Sequence, residues 1–147
     1  MLSNTCKYAI RALIYLAKNA SGDQKIGIKK ISEDLGIPSP FLGKILQSLA
    51  KQKILSSTKG PHGGFGMGLK AQDIRLYDIV VIIDGEDFFK TCLIGLQPCN
   101  NTGEVKHECP VHGRFSKIRT ELTSLFTDTT IQSIIDDMDD SNKYVIL

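Results

Sequence analysis

The apolar residues of this chain fall into a succession of short, distinct patterns. Tyr8, Ala9, Ala12, Leu13, Leu16 and Ala17 recur at helical spacing and make one continuous face, while Ile10 and Ile14 lie on another. A helix that is apolar on two sides has to be covered on two sides. The opening helix should therefore pack under one set of elements and also against a second, such as a long C-terminal helix or another subunit. The polar stretch NASGDQK, residues 19–25, reads as a loop, and residues 26–28 as a short supporting strand.

Ile28, Ile31 and Leu35 then recur at helical spacing, and Gly36 stands where a left-handed C-terminal cap would close that helix. Ser39 offers a side-chain oxygen to cap a second helix, with Pro40 at its first position, where a missing N–H costs nothing. The turn between them, residues 36–39, has the length that two crossed helices need. Leu42, Ile45, Leu46 and Leu49 form the inward stripe of the second helix and leave Phe41, Gly43, Lys44, Gln47, Ser48 and Lys51 facing outward. Ile54, Leu55 and Ser57 read as a strand, TKGPHGG as a tight turn, and residues 65–69 as the return strand, with Lys59 and His62 at the tip. Two short crossed helices followed by a hairpin make a winged helix-turn-helix.

After the connector KAQDIR, the segment LYDIVVIIDG suits a helix with Tyr77, Ile79 or Val80, and Ile83 inward and Gly85 at its close; its β-branched run suits a strand equally by propensity. From residue 86 to about residue 106 periodicity fades into Gly, Pro, Asn and charged residues, which is loop chemistry. A loop of that length in a small chain is either functional or disordered. Pro110 opens a helix in which Phe115, Ile118, Leu122, Leu125 and Phe126 alternate by three and four, a narrow seam most simply buried against its own symmetry mate. A last short helix over TIQSIIDDM, capped by Thr129 or Thr130, turns Ile131, Ile134, Ile135 and Met138 inward. The expected architecture is mainly α with a small β-wing. A winged helix-turn-helix domain occupies residues 1–85, a cysteine-bearing sensor loop 86–109, and a dimerisation helix with a C-terminal helix 110–147.

The hydrophobic content of 41% supports one core in a chain of 147 residues, and no apolar run approaches the length of a membrane span. Lys7, Arg11 and Lys18 interrupt the N-terminal apolar run and no small-residue cleavage site follows, so it reads as a folded helix of a cytoplasmic protein rather than a signal peptide. A net charge of +2 says little about partners, but its distribution says more. Eight lysines lie between Lys25 and Lys70 against Glu33 and Asp34, whereas Asp136, Asp137, Asp139 and Asp140 gather near the C-terminus. A locally basic module fits a phosphate backbone. With the second helix of the motif in a major groove, Ser39, Phe41, Lys44 and Gln47 are the residues expected to meet base edges. Gln47 would pair with adenine and Lys44 with guanine or a phosphate; Phe41 either touches a thymine methyl or packs beneath the turn. Lys59 and His62 would reach the backbone or the flanking minor groove. One subunit offers little contact, so a two-fold dimer on a near-palindromic double-stranded operator is expected. An enzyme is not: GPHGGFGMG leads from strand to strand and lacks the lysine-serine and helix start of a nucleotide loop, and no acid, base and nucleophile set stands out.

The stretches KYAIRALIYLA and ISEDLGIPSPFLGKILQSLAKQKILSSTKGPHGGF, with the cysteine-bearing segment beyond Thr91, resemble the Rrf-two family of bacterial winged-helix regulators. That family includes the iron-sulfur cluster regulator, the nitric-oxide-sensitive repressor and the cysteine-metabolism repressor. The resemblance implies a helix over 76–85, a wing cation at Lys59, and iron-sulfur ligands at Cys92, Cys99, Cys109 and His112. Three thiolates and an imidazole suit a [2Fe-2S] cluster, and they also satisfy tetrahedral zinc. Reduced thiols without metal, or a thiol pair that senses oxidants by forming a disulfide, stand as the remaining readings. Cys109 and His112, three apart at a helix start, point to the same side, and His107 competes with His112 for the fourth position. Cys6, amid apolar neighbours, reads as a buried small hydrophobe. The resemblance thus implies a dimeric DNA-binding repressor whose operator affinity is switched by a cluster or by thiol redox state in the segment 92–112. The alternative is a metal-free regulator controlled by a partner enzyme or a small molecule.

Overall fold

The structure, a computed structural model, describes residues 2–94 and 111–141, with side chains to residue 138. Helix α1, Asn4–Asn19, runs through the middle of the molecule. Its cap is Ser3, whose hydroxyl accepts the Cys6 N–H at 3.0 Å while its own N–H and hydroxyl are donated to the carboxylate of Asp84. Ala9, Ala12, Leu13 and Leu16 are fully buried and Ile14 nearly so, with Tyr8, Ile10 and Ala17 half-buried against them, so both apolar faces of α1 are covered. The covering elements are α2, Ile28–Leu35, α3, Ser39–Lys51, and the wing, together with α4, Leu76–Ile83, and the short last helix α7, Ile131–Ser141. Burying each such Leu or Ile contributes roughly 1.5–3 kcal/mol, so α1 is the main source of cohesion between the motif and the C-terminal helices.

Gly36 closes α2 as the sequence suggests, with φ of 65°, and the Ile37 N–H returns to the Ser32 carbonyl at 3.1 Å. The start of α3 differs from expectation. Ser39 is the first residue inside the helix and caps nothing; Pro38 holds the cap position, its carbonyl accepting the N–H groups of Phe41 and Leu42 at 3.1 and 2.9 Å. The N–H of the second helical residue has no acceptor within the helix, so Pro40 sits at the second position as easily as at the first. Gly43 also departs from its expected outward setting. A Cβ there would stand 3.1 Å from Cδ1 of Ile28, so the glycine lets α2 and α3 cross closely.

The wing is an antiparallel pair, β1, Leu55–Thr58, and β2, Gly64–Met67, with Leu55 opposite Met67. Ile26 adds a bridge on its far edge, exchanging both backbone hydrogen bonds with Phe65 at 2.9 Å. Ile28, which the sequence offers both to that short strand and to the next helix, begins α2. In α4 both Ile79 and Val80 are buried, and Gly85 ends the helix region with φ of 87°.

Part of the stretch expected to be loop is a short helix, α5, Asp87–Lys90. Phe89 there stacks on Tyr77 of α4 at 4.6 Å and meets Phe126 edge-on at 5.6 Å, so aromatic packing orders a segment that has too few residues to show a period. Helix α6, His112–Asp128, carries the expected seam, but the seam divides. Phe126 is buried and Leu122 packs on the core, whereas Ile118 and Leu125 are 59% and 58% exposed. Thr130 caps α7 reciprocally with Ser133, and the junction is sewn to the start of α4: Leu76 donates to Thr129 at 3.0 Å and Ile131 to Ile74 at 2.9 Å.

Candidate nucleic-acid interface

The geometry of α3 follows from its stripe. With Leu42, Ile45, Leu46 and Leu49 all buried, Lys44, Gln47 and Lys51 are turned to solvent one turn apart along the opposite face. Ser39 is half-buried at the start of the same helix. Phe41 is 39% exposed and its ring meets Tyr8 of α1 edge-on at 5.8 Å. It is thus braced on one side and open on the other. Tyr8 was not singled out as a site neighbour in the sequence, because a period assigns a residue to a face without naming what lies against it.

Beside α3 the wing presents Lys59, Pro61 and His62, all exposed. Its turn is drawn in tightly. A Cβ on Gly63 would fall 2.1 Å from the Thr58 carbonyl oxygen, and one on Gly64 2.3 Å from that of Ile26, so the two glycines let the hairpin close and the bridge strand approach. Lys59 and His62 stand at the tip of this tight turn.

Two of the expected metal ligands are described. Cys92 is half-buried just beyond α5, and His112 is the first residue of α6, also half-buried. Cys99, Cys109 and His107 lie outside the described residues. Among the described residues no group of three or more His, Cys, Asp or Glu side chains stands together. Cys6 is fully buried, and burial, with Asp84 nearby, pushes its thiol up to about 12, so it stays protonated and inert as expected.

A helix-turn-helix with a basic reading face and a glycine-shaped wing has well-defined relatives. The Rrf2 family model, an iron-dependent transcriptional regulator, matches residues 2–137. The chain belongs to the Rrf2 family. A protein of Aquifex aeolicus, provisionally named an HTH-type transcriptional regulator, is 30% identical over 135 residues, 92% of this chain and 91% of its own length. The HTH-type transcriptional regulator IscR of Escherichia coli is 24% identical over 138 residues, covering 94% of this chain and 82% of its own. Among solved structures, the global cysteine regulator CymR of B. subtilis superposes with a TM-score of 0.72 at 20% identity, over 92% of this chain and 96% of that one. IscR of T. potens gives the same score and identity over 98% and 92%. At that identity the superpositions speak for the fold. The Rrf2 family is one of transcriptional regulators rather than enzymes, and DNA binding through the winged helix-turn-helix follows from membership.

On the Rrf2 chain the lysines of the motif are not equivalent. Lys29, Lys44, Lys51, Lys53 and Lys59 are exposed. Lys25 is half-buried, and its ammonium donates to the Ser56 hydroxyl, which in turn donates to the Met67 carbonyl at 3.1 Å, so it braces the wing. Lys30 pairs with Asp34 at 2.9 Å, and Asp34 also accepts from the Tyr15 hydroxyl at 2.5 Å. The Tyr15 hydrogen bond and then Lys30 hold the Asp34 carboxyl below its ordinary range, and the same contacts raise Tyr15 and Lys30. One of the two carboxylates in the basic module is therefore occupied internally. No helix among the described residues is long and apolar enough to cross a membrane.

Proposed function

We propose that this Rrf2-family regulator is a dimeric repressor that reads a near-palindromic operator through α3 and the wing. The observation that carries the reading is the polarity of α3: a fully buried aliphatic stripe fixes its orientation, and Lys44 and Gln47 stand on the face left open. In this role Gln47 and Ser39 contact base edges, Lys44 a guanine or a phosphate, the open side of Phe41 a thymine methyl, and Lys59 and His62 the flanking backbone or minor groove. Ile118 and Leu125, exposed and seven residues apart on α6, supply the apolar strip for the second copy. Fluorescence anisotropy at fixed salt with upstream DNA fragments tests it. Lys44→Ala and Lys59→Ala should each weaken binding about tenfold and lower the salt slope by about one. Affinities equal to wild type for both would remove α3 and the wing from the interface.

The donor set of the cysteine-bearing segment fits a [2Fe-2S] cluster by its chemistry, since thiolates suit iron and an imidazole completes the four. Cys92, Cys99, Cys109 and either His112 or His107 would hold it, and when bound it supplies a one-electron redox centre. Zinc at the same four positions, or the thiols alone, would act on the same segment. The chain's own contribution is to place Cys92 at the end of α5 and His112 at the start of α6, so that a change between them acts where α6 begins. Protein purified without oxygen should carry iron and absorb visible light. A colourless, iron-free preparation that resists reconstitution would leave zinc or thiol chemistry as the input.

A further inference from the structure

Thr91 is the last residue before Cys92 that α5 controls. Its N–H and its hydroxyl both return to the Asp87 carbonyl, at 2.8 and 2.6 Å, and its backbone then turns extended, with φ of −62° and ψ of 141°. That turn takes its own carbonyl out of the helix, and Thr91 enters an isolated β-bridge. The Thr91 carbonyl also accepts from Arg119 of α6, Nη2 donating at 3.2 Å. The guanidinium is held from the other side by the Phe115 ring, 5.0 Å away one turn back on α6. Its Nε is buried and without a hydrogen-bond partner, an orphan that would be relieved if the side chain were free to turn outward. Meanwhile Phe88 and Phe89 lock α5 against Tyr77 and Phe126, so α5 itself is fixed. The peptide joining Thr91 to Cys92 is thus the point where an anchored element, α6 and a cysteine meet.

We propose that Arg119 is a positioning residue that clasps the peptide carrying Cys92 to α6, and that chemistry at Cys92 reaches α6 through this clasp. The proposal rests on the reading that the cysteine-bearing segment controls operator binding. A cation in a hydrogen bond to a carbonyl is worth more than a neutral donor, and its planar fork also lies flat on Phe115. Displacing the Thr91 carbonyl leaves a half-buried guanidinium with one contact fewer. A modification that moves Cys92 therefore moves either Arg119 or the helix that bears it.

The test uses metal-free full-length protein in which Cys99 and Cys109 are serine, with Arg119 intact or changed by Arg119→Gln or Arg119→Lys. N-ethylmaleimide is the probe, and Cys6 is shut in the core. With Arg119→Gln, Cys92 should alkylate about tenfold faster, and Arg119→Lys should restore much of the protection because it keeps the charged donor. Alkylation should change operator affinity when Arg119 is present and leave it within about twofold in Arg119→Gln, a ratio that simple destabilisation would not erase. Equal alkylation rates in all three proteins overturn the clasp. If rates respond to Arg119 but affinity ignores alkylation even with Arg119 present, the clasp stands and the control of operator binding by Cys92 is what fails. If affinity responds to alkylation equally with and without Arg119, transmission through the clasp is overturned.

Discussion

Cys6 and Cys92 are the same chemical group in opposite settings, and the difference is readable in their neighbours. Cys6 sits between apolar residues of α1, where its thiol is raised from 9.0 to about 12. At pH 8 it should be the last of the four cysteines to react with N-ethylmaleimide, as peptide mass mapping would reveal; early labelling of Cys6 would show that α1 is not packed as described. Backbone-driven residues were harder to foresee. Periodicity puts Gly43 on the outer face because it describes angles, and it carries no information on which neighbouring helix comes within van der Waals reach. The residue type of Ser39 suggests a cap, whereas the preceding Pro38 occupies that position. At Gly64 the constraint is close approach: Gly64→Ala would bring a Cβ against the Ile26 carbonyl oxygen. It should lower stability by roughly 2 kcal/mol or more, measured by urea unfolding, with loss of operator affinity as the tip shifts.

Among the elements, α1 and α3 were legible because each carries enough buried positions to show a period, α2 and the hairpin because Gly36 and the TKGPHGG turn bound them, and α4 through the family resemblance, its β-branched run suiting a strand equally. Helix α5 has four residues and owes its order to aromatic contacts with α4 just before it and with α6, which is distant in sequence. The link between α1 and α2 likewise comes from contacts at a distance, Tyr15 to Asp34, with Lys30 joining from the same helix. Its pH dependence has a definite sign. Asp34 is depressed in the folded state, so its contribution is complete above the ordinary value of 3.8 and is lost as pH falls through the lower folded value. Tyr15 and Lys30 are raised, so theirs is complete below 10.0 and 10.5 and is lost as pH climbs through their folded values. Tyr15→Phe should therefore be less stable than wild type at neutral pH, with the difference closing toward pH 2 in denaturant titrations. A difference that persisted at acid pH would assign the loss to packing instead.

At the level of the whole molecule, the expected seam on α6 divides between the core and the surface. Phe126 and Leu122 belong to the chain's own core, and Ile118 and Leu125 are left over. Sequence could show that five apolar residues share a stripe, and only the position of α4 and α5 shows which of them are already used. Changing the exposed pair together, Ile118→Glu with Leu125→Glu, should yield a monomer by light scattering and reduce operator affinity at least about tenfold, while unfolding stays within about 0.5 kcal/mol per site. A dimer that survives both charges would move the interface elsewhere. The stitching of Thr129 and Ile131 to the start of α4 has a mechanical corollary. It makes that end of α6 a pivot, and at 1.5 Å of rise per residue Arg119 stands about 15 Å out along the arm. A tilt of about 10° at the pivot would carry the guanidinium by roughly 2.6 Å, enough to part it from its carbonyl. A small rotation at the far joint and a broken contact near Cys92 are then two ends of one swing.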